Sequence, residues 1–157
     1  MNGMQKTKTS VADAVAQIYK NVKMGVSSVT DLLPKVKDET LRAELLAHLE
    51  GYESFARKAE SILRTEHREA EEANAFTRFS AKMGTMMNTA MDSTASHIAE
   101  MIIEGATMGV TDQMRILHEL QRSEEEAEDA HYRDAMRLAA DVISFEETMI
   151  GKMKKYL

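Results

Sequence analysis

The sequence predicts an all-α protein, a four-helix bundle made by a single domain. Residues that favour helices dominate its 157 positions, whereas proline occurs once and cysteine not at all. Apolar residues recur three and four positions apart over four long stretches, as a buried helix face requires. The four stretches are similar in length, which favours a bundle. We therefore interpret residues 1–157 as one domain.

The first two helices are predicted over residues 9–33 and 38–68. Ser10 and Asp13 have the spacing of a capping box, and Pro34 disfavours helical geometry in the residue before it. Asp38 is a good N-cap for the second helix. The inner face of the first helix holds no acid and consists of Val11, Val15, Ile18, Val22, Gly25, Val29 and Leu32.

The third and fourth helices are predicted over residues 93–122 and 124–156. Gly105 and Gly109 lie four positions apart on the inner face of the third helix, which predicts the close approach of a neighbouring helix. Ser123 and Glu126 form a second capping box at the start of the fourth helix. The acidic run that follows is interpreted as a solvated helix start, because negative charge is favourable there.

The connection between the second and third helices is long and itself amphipathic. Aromatic and methionine residues at helical spacing predict a crossover helix over about 74–91, with roughly 27 Å of rise. A segment of that length can return the chain along the bundle, which places the third helix parallel to the second. The alternative is a simple up-down-up-down bundle in which this segment covers one end. We favour the parallel arrangement.

Three sequence features together resemble a known group of proteins. They are the stretch from Ser96 to Gly105, the methionine-rich stretch before it, and the closing residues from Lys152 to Leu157. On these features the chain resembles the ferritin-like superfamily, and more closely small helical-bundle proteins of unassigned function from anaerobic Gram-positive bacteria. The resemblance implies a ferritin-like four-helix bundle with a long crossover and implies no particular activity.

The chain departs from the metal-binding pattern of ferritin-like proteins. Di-iron members use a Glu from each of two helices and a Glu-x-x-His motif from each of the other two. Here Glu-x-x-His occurs once, from Glu128 to His131, and the first helix offers no inward carboxylate. We therefore do not expect a di-iron centre.

A single divalent metal, Fe, Mn or Zn, is the cofactor that the remaining inward residues could hold. If the third helix is parallel to the second, His48, His97 and Glu146 lie near one level of the bundle. In the simple bundle the set is instead His48, Glu128 and His131. Tyr52 lies one turn from His48 and could complete either set. We favour a buried hydrogen-bonded triad that fixes helix register over a metal site.

The methionine-rich stretch is the candidate surface for partner binding. Met83, Met86, Met87 and Met91 make a soft apolar face that adapts to another helix. Packing against the bundle or a second subunit is the plainest interpretation, and a partner helix is favoured over copper(I). The predicted function is thus non-enzymatic, through self-association or a protein partner. The alternative is a metal-binding protein or oxidoreductase.

Composition and charge exclude several other classes. The net charge is −6 and no extended basic block is present, which argues against nucleic-acid binding. No apolar run is long enough to span a membrane, and the first residues do not resemble a signal peptide, so a cytoplasmic location is expected. The absence of cysteine excludes thiol chemistry. No serine lies in the turn that a nucleophile of the Gly-x-Ser-x-Gly type requires.

Overall fold

The computed structural model describes residues 10–68, 70, 92–123 and 130–157. Four long helices occupy these residues: α1 (Val11–Leu32), α2 (Glu39–Thr65), α3 (Ala95–Gln121) and α4 (Ala130–Met153). Short 3₁₀ turns follow α1 at Leu33–Lys35 and α4 at Lys154–Tyr156. The described ranges contain no strand, so the predicted all-α four-helix bundle is confirmed. The predicted crossover helix over 74–91 and the predicted first turns of the fourth helix, 124–129, lie outside the described residues.

Side-chain caps set the start of three helices, and two of these caps, Ser10 and Asp38, are predicted from the sequence. The Ser10 hydroxyl accepts a hydrogen bond from the Asp13 backbone N–H at 3.0 Å. Asp38 accepts one from Leu41 at 2.8 Å. The Thr94 hydroxyl accepts one from the His97 backbone at 3.2 Å. Each cap satisfies a backbone donor that the first turn of a helix leaves without a partner.

The end of α2 is fixed by a residue in the left-handed region. His67 has a φ of 55°, a conformation that favours glycine and that histidine adopts more readily than most residues. This turn lets the Arg68 backbone N–H donate to the Leu63 carbonyl at 2.9 Å, the pattern of a Schellman motif. The helix therefore ends at Thr65, earlier than the predicted residue 68.

Two antiparallel pairs follow from contacts between helix ends. Arg68, just beyond α2, forms an ion pair with Asp13 in the first turn of α1, so α1 and α2 are antiparallel. Lys155, just beyond α4, forms an ion pair with Glu44 near the start of α2, so α2 and α4 are also antiparallel. The opposite ends of α2 and α4 meet where Glu66 lies 3.9 Å from His131.

The third helix runs parallel to the second, as the favoured arrangement predicts. The first turns of both helices line one surface depression, in which Leu41 and Ile98 take part. Halfway along, Tyr52 of α2 and Gly109 of α3 both contact Glu146 of α4. The same eleven positions separate Leu41 from Tyr52 and Ile98 from Gly109, about 16 Å of helix. The two helices therefore share direction and level.

The core is built from the predicted apolar stripes. Ile18, Leu45 and Leu120 are fully buried, and each such side chain contributes about 1.5–3 kcal/mol by leaving water. In α1 the two acids, Asp13 and Asp31, are exposed, so this helix turns no carboxylate inward. No helix in the described part of the chain is long and apolar enough to cross a membrane.

Candidate functional site

A buried carboxyl group lies at the middle of the bundle. Glu146 of α4 is only 2% exposed, and the Tyr52 hydroxyl of α2 donates a hydrogen bond to it. Burial, which penalises the charged form, raises the pKa of Glu146 to about 8, and the nearby Asp112 carboxylate adds to this rise. The Tyr52 hydrogen bond acts in the opposite direction. At neutral pH Glu146 is therefore predominantly a neutral carboxylic acid.

Two glycines make room for this pair. A Cβ at Gly109 would lie 2.6 Å from Glu146 Oε1 and 2.7 Å from its Cδ. A Cβ at Gly25 of α1 would lie 2.6 Å from two carbons of the Tyr52 ring. Real Cβ atoms do not approach other atoms so closely, so any larger residue would force Glu146 or Tyr52 to move. The predicted close approach at Gly109 is thus to a side chain, while the described residues leave the space over Gly105 open within 4 Å.

A groove between α1 and α3 leads to Glu146. Its cavity has a volume of about 120 Å³, and Glu146 and Tyr52 line it together with residues of α1 and α3. Gly105 lies on the wall that α3 supplies. Four methionines line the groove: Met24, Met101, Met108 and Met149. Because methionine is flexible and polarizable, this lining can adapt to the shape of an apolar molecule.

Two polar atoms in the groove have no hydrogen-bond partner among the residues that the structure describes. These buried atoms are Glu146 Oε2 and Asn21 Nδ2. Buried polar atoms are almost always satisfied by protein, water or ligand, so both atoms can receive a partner. Glu104 and Asp112 also line the groove, and none of the described lining residues is a lysine or an arginine. The electrostatic environment is therefore acidic.

A second buried polar group lies one level away, at His48. This residue is 4% exposed, and its ring packs edge-on to Phe145 with centroids 6.0 Å apart. Burial, together with the nearby Lys152, lowers the pKa of His48 to about 4, and Glu44 opposes the shift. Phe145 in turn occupies the space above Gly51, where a Cβ would meet its ring at 2.5 Å. His48 is therefore a neutral imidazole packed against an aromatic ring.

The structure does not gather the predicted metal ligands into one group. His97 is partly exposed at the start of α3, and its Nδ1 lies 3.8 Å from Glu100 of the same helix. His48 and Glu146 are both buried as predicted, but each has its own surroundings. Within the described ranges, no three His, Asp or Glu side chains are arranged to hold a metal ion.

Of the set predicted for the simple bundle, the structure describes His48 and His131. The His131 side chain is one-third exposed, and its Nε2 lies 3.9 Å from Glu66. Its contact with Glu66 is at the end of the bundle, because α2 and α4 are antiparallel. Glu128 lies outside the described residues, and so do the predicted partner-binding residues Met83, Met86, Met87 and Met91.

Two buried amides were not predicted. Asn21 is 6% exposed and accepts a hydrogen bond from Gln17 Nε2 at 3.3 Å, while Gln113 is fully buried. Their spacing from the inward apolar residues of the same helix could have identified them. Gln113 continues the inward series of Ile102, Ala106 and Gly109 at steps of three and four. Asn21 follows Ile18 by three positions in the same way. Their angular position on the helix places both polar side chains inside, next to the apolar residues of the same face.

Comparisons with known proteins give a fold but no family. No protein-family model matches the chain, and no curated protein matches it. Among solved structures the chain is similar to "YcfI, a putative structural protein from Rhodopseudomonas palustris". The TM-score is 0.72 at 12% sequence identity, and the match covers 99% of each chain. At that identity the likeness shows a shared all-helical fold.

Proposed function

We propose that this chain is a non-enzymatic helical bundle that acts through contacts with further copies of itself or with a protein partner. The observation that carries the proposal is the likeness to YcfI, whose description proposes a structural role and whose fold corresponds over 99% of both chains. The helix order, with α3 parallel to α2, also supports the proposal that the chain belongs to the ferritin-like superfamily.

The proposed contact surface is the methionine-rich stretch of Met83, Met86, Met87 and Met91. We infer this surface from the sequence, because flexible apolar side chains at helical spacing suit contacts with another helix. A second possible surface lies on the outer side of α3, where Met108 is 51% exposed and Met114 is 42% exposed. Large apolar side chains in water are available for an interface, although isolated ones are common on monomers.

Sedimentation velocity of the full chain over a range of concentrations tests self-association. We expect the wild type to sediment as a species larger than one chain. Replacement of all four methionines at 83, 86, 87 and 91 by glutamine should shift it to the monomer. The matched control is the double variant Met108→Gln and Met114→Gln, which should leave the assembly intact. If the control dissociates instead, the contact surface is on α3. A wild type that is monomeric throughout would contradict self-association.

Metal analysis separates this proposal from the mononuclear alternative. That alternative assigns one Fe, Mn or Zn ion to His48, His97 and Glu146. Protein purified without a chelating column should contain no stoichiometric metal if the non-enzymatic proposal is right. One equivalent of metal that is lost in His48→Ala would support the alternative and count against the proposal.

A further inference from the structure

We propose that the groove between α1 and α3 binds a small organic ammonium ion, an alkylamine or arylalkylamine whose charged nitrogen pairs with Glu146. The proposal rests on the groove, not on the self-association proposed above. Its starting observation is that one carboxyl oxygen, Glu146 Oε2, is buried beside an open, methionine-lined cavity and has no hydrogen-bond partner in the described part of the chain.

The charge of the lining selects a cation. Three carboxyl groups, from Glu104, Asp112 and Glu146, line the groove, and its described residues supply no lysine or arginine. Asp112 is only partly neutralised, because its partner Arg115 lies 3.3 Å away with a side chain that is 69% exposed. An anion would be repelled by these groups, whereas an ammonium ion gains a charge-assisted hydrogen bond.

The size and polarity of the groove limit the rest of the ligand. A cavity of about 120 Å³ is slightly smaller than the engineered cavity of about 150 Å³ that binds benzene. It therefore suits one ring or a short chain. The methionine side chains offer apolar contacts. No atom of the described residues lies within 4 Å of a Cβ built at Gly105, so this part of the groove wall is open to a ligand.

Hydrogen bonding within the protein leaves the acceptor role to Glu146. The Ser28 hydroxyl, which also lines the groove, already donates to the Met24 carbonyl at 2.7 Å. Tyr52 donates to Glu146, so the unpartnered Oε2 remains the acceptor for a ligand donor. A primary ammonium group has three donors and no acceptor, which matches this arrangement. Asn21 Nδ2 is a donor and can be satisfied by water or by an oxygen on the ligand.

Three probes of similar shape test the proposal: benzylamine, benzyl alcohol and benzoate. Their affinities for the full chain are measured at pH 8 by NMR titration. We expect benzylamine to bind about tenfold more tightly than benzyl alcohol, because only the amine forms an ion pair, and benzoate to bind most weakly. Equal affinities for amine and alcohol, or no binding of the amine, would overturn the proposal.

Variants locate the binding site. Glu146→Gln preserves the shape of the side chain and should reduce benzylamine affinity to that of benzyl alcohol, while Glu147→Gln, on the exposed face of the same helix, should change nothing. Gly105→Leu adds an apolar side chain to the groove wall, where a Cβ meets no atom of the described residues within 4 Å, and should abolish binding of amine and alcohol alike. Amine binding that survives Glu146→Gln or Gly105→Leu would place the site elsewhere and contradict the proposal. Circular dichroism of each variant checks that it is folded.

The pH dependence gives an independent readout. The titratable groups that face Glu146 across the groove are Tyr52 from α2 with Glu104 and Asp112 from α3, and the lining residues of α1 carry none. Because Glu146 must lose its proton to pair with an ammonium ion, benzylamine affinity should rise by about fiftyfold in total between pH 6 and pH 8, and most steeply between pH 6 and pH 7. A benzylamine affinity that falls over this range would mean that the ligand prefers the protonated form of Glu146, and it would overturn the proposal.

Discussion

One level of the bundle buries the carboxyl group of Glu146 and another buries the imidazole of His48, and the two groups have different surroundings. At the level of Glu146, a tyrosine hydroxyl donates to the carboxyl group and a groove opens beside it. At the level of His48, an aromatic ring packs edge-on to the imidazole. Burial moves the pKa of Glu146 up to about 8 and that of His48 down to about 4, so both are largely neutral near pH 7.

Burial gives the two groups opposite effects on the pH dependence of stability. Burial disfavours charge, and charge means a lost proton for Glu146 but a gained proton for His48. Stability from a neutral Glu146 is fully present below its unfolded value of 4.5 and is lost as pH rises through about 8. Stability from a neutral His48 is present above its unfolded value of 6.5 and is lost as pH falls through about 4. The loss from Glu146 begins above pH 4.5 and the loss from His48 begins below pH 6.5. Together the two groups therefore favour maximum stability between these two pH values.

The largest expected effect is the response of stability to pH in Glu146→Gln. At about 1.4 kcal/mol per pKa unit, the rise from 4.5 to about 8 corresponds to a loss on the order of 4 kcal/mol in the wild type between pH 4.5 and pH 8. The variant lacks this titration, so its free energy of unfolding in urea should vary much less over that range. Glu147→Gln is the exposed control and should follow the wild type. An unchanged slope in Glu146→Gln would show that the carboxyl group is solvated.

A smaller effect is expected at acid pH from His48→Gln. The wild type should lose stability as pH falls from 6.5 toward 4, because over this range His48 is protonated in the unfolded chain but not in the folded one. The variant should lose less over the same range. Urea unfolding at several pH values measures the difference, with the exposed His118→Gln as the matched control. If both variants follow the same curve, His48 is not the buried titrating group.

The smallest effects distinguish two glycines on one face of α3. Alanine at Gly105 meets no atom within 4 Å and should stabilise the helix by up to about 1 kcal/mol through its higher helix propensity. Alanine at Gly109 gains the same propensity but collides with the Glu146 carboxyl group, and should destabilise the protein by about 1–2 kcal/mol. Urea unfolding of the two single variants compares them directly. Equal stabilisation by both would mean that Glu146 does not occupy the space beside Gly109.

The fold could be predicted from the sequence because its signals are local. Caps such as Ser10, Asp38 and Thr94 mark helix starts by short-range hydrogen bonds, and the apolar stripes mark the inner faces. The direction of α3 is a long-range property, so the sequence left two arrangements open. Contacts between distant residues, such as Glu146 with Tyr52 and Gly109, decide it.

The candidate site could be predicted only in part. Helical periodicity correctly placed His48 and Glu146 inside, because the angular position of a residue depends on its own helix alone. Which side chains meet depends on the level and tilt of separate helices. Tyr52 was therefore expected beside His48 as a further ligand, whereas its hydroxyl group bonds to Glu146. The groove could not be predicted, since it depends on how far α1 and α3 stand apart.

The central claim is that Glu146 is a buried, uncharged acid at neutral pH. NMR titration of the Glu146 side-chain carboxyl carbon measures the pKa of this group directly. Its signal is assigned as the one that is missing in Glu146→Gln. We expect a pKa near 8, raised chiefly by burial. A value near 4.5, the ordinary value for glutamic acid, would show an ionised and solvated side chain and would contradict the account.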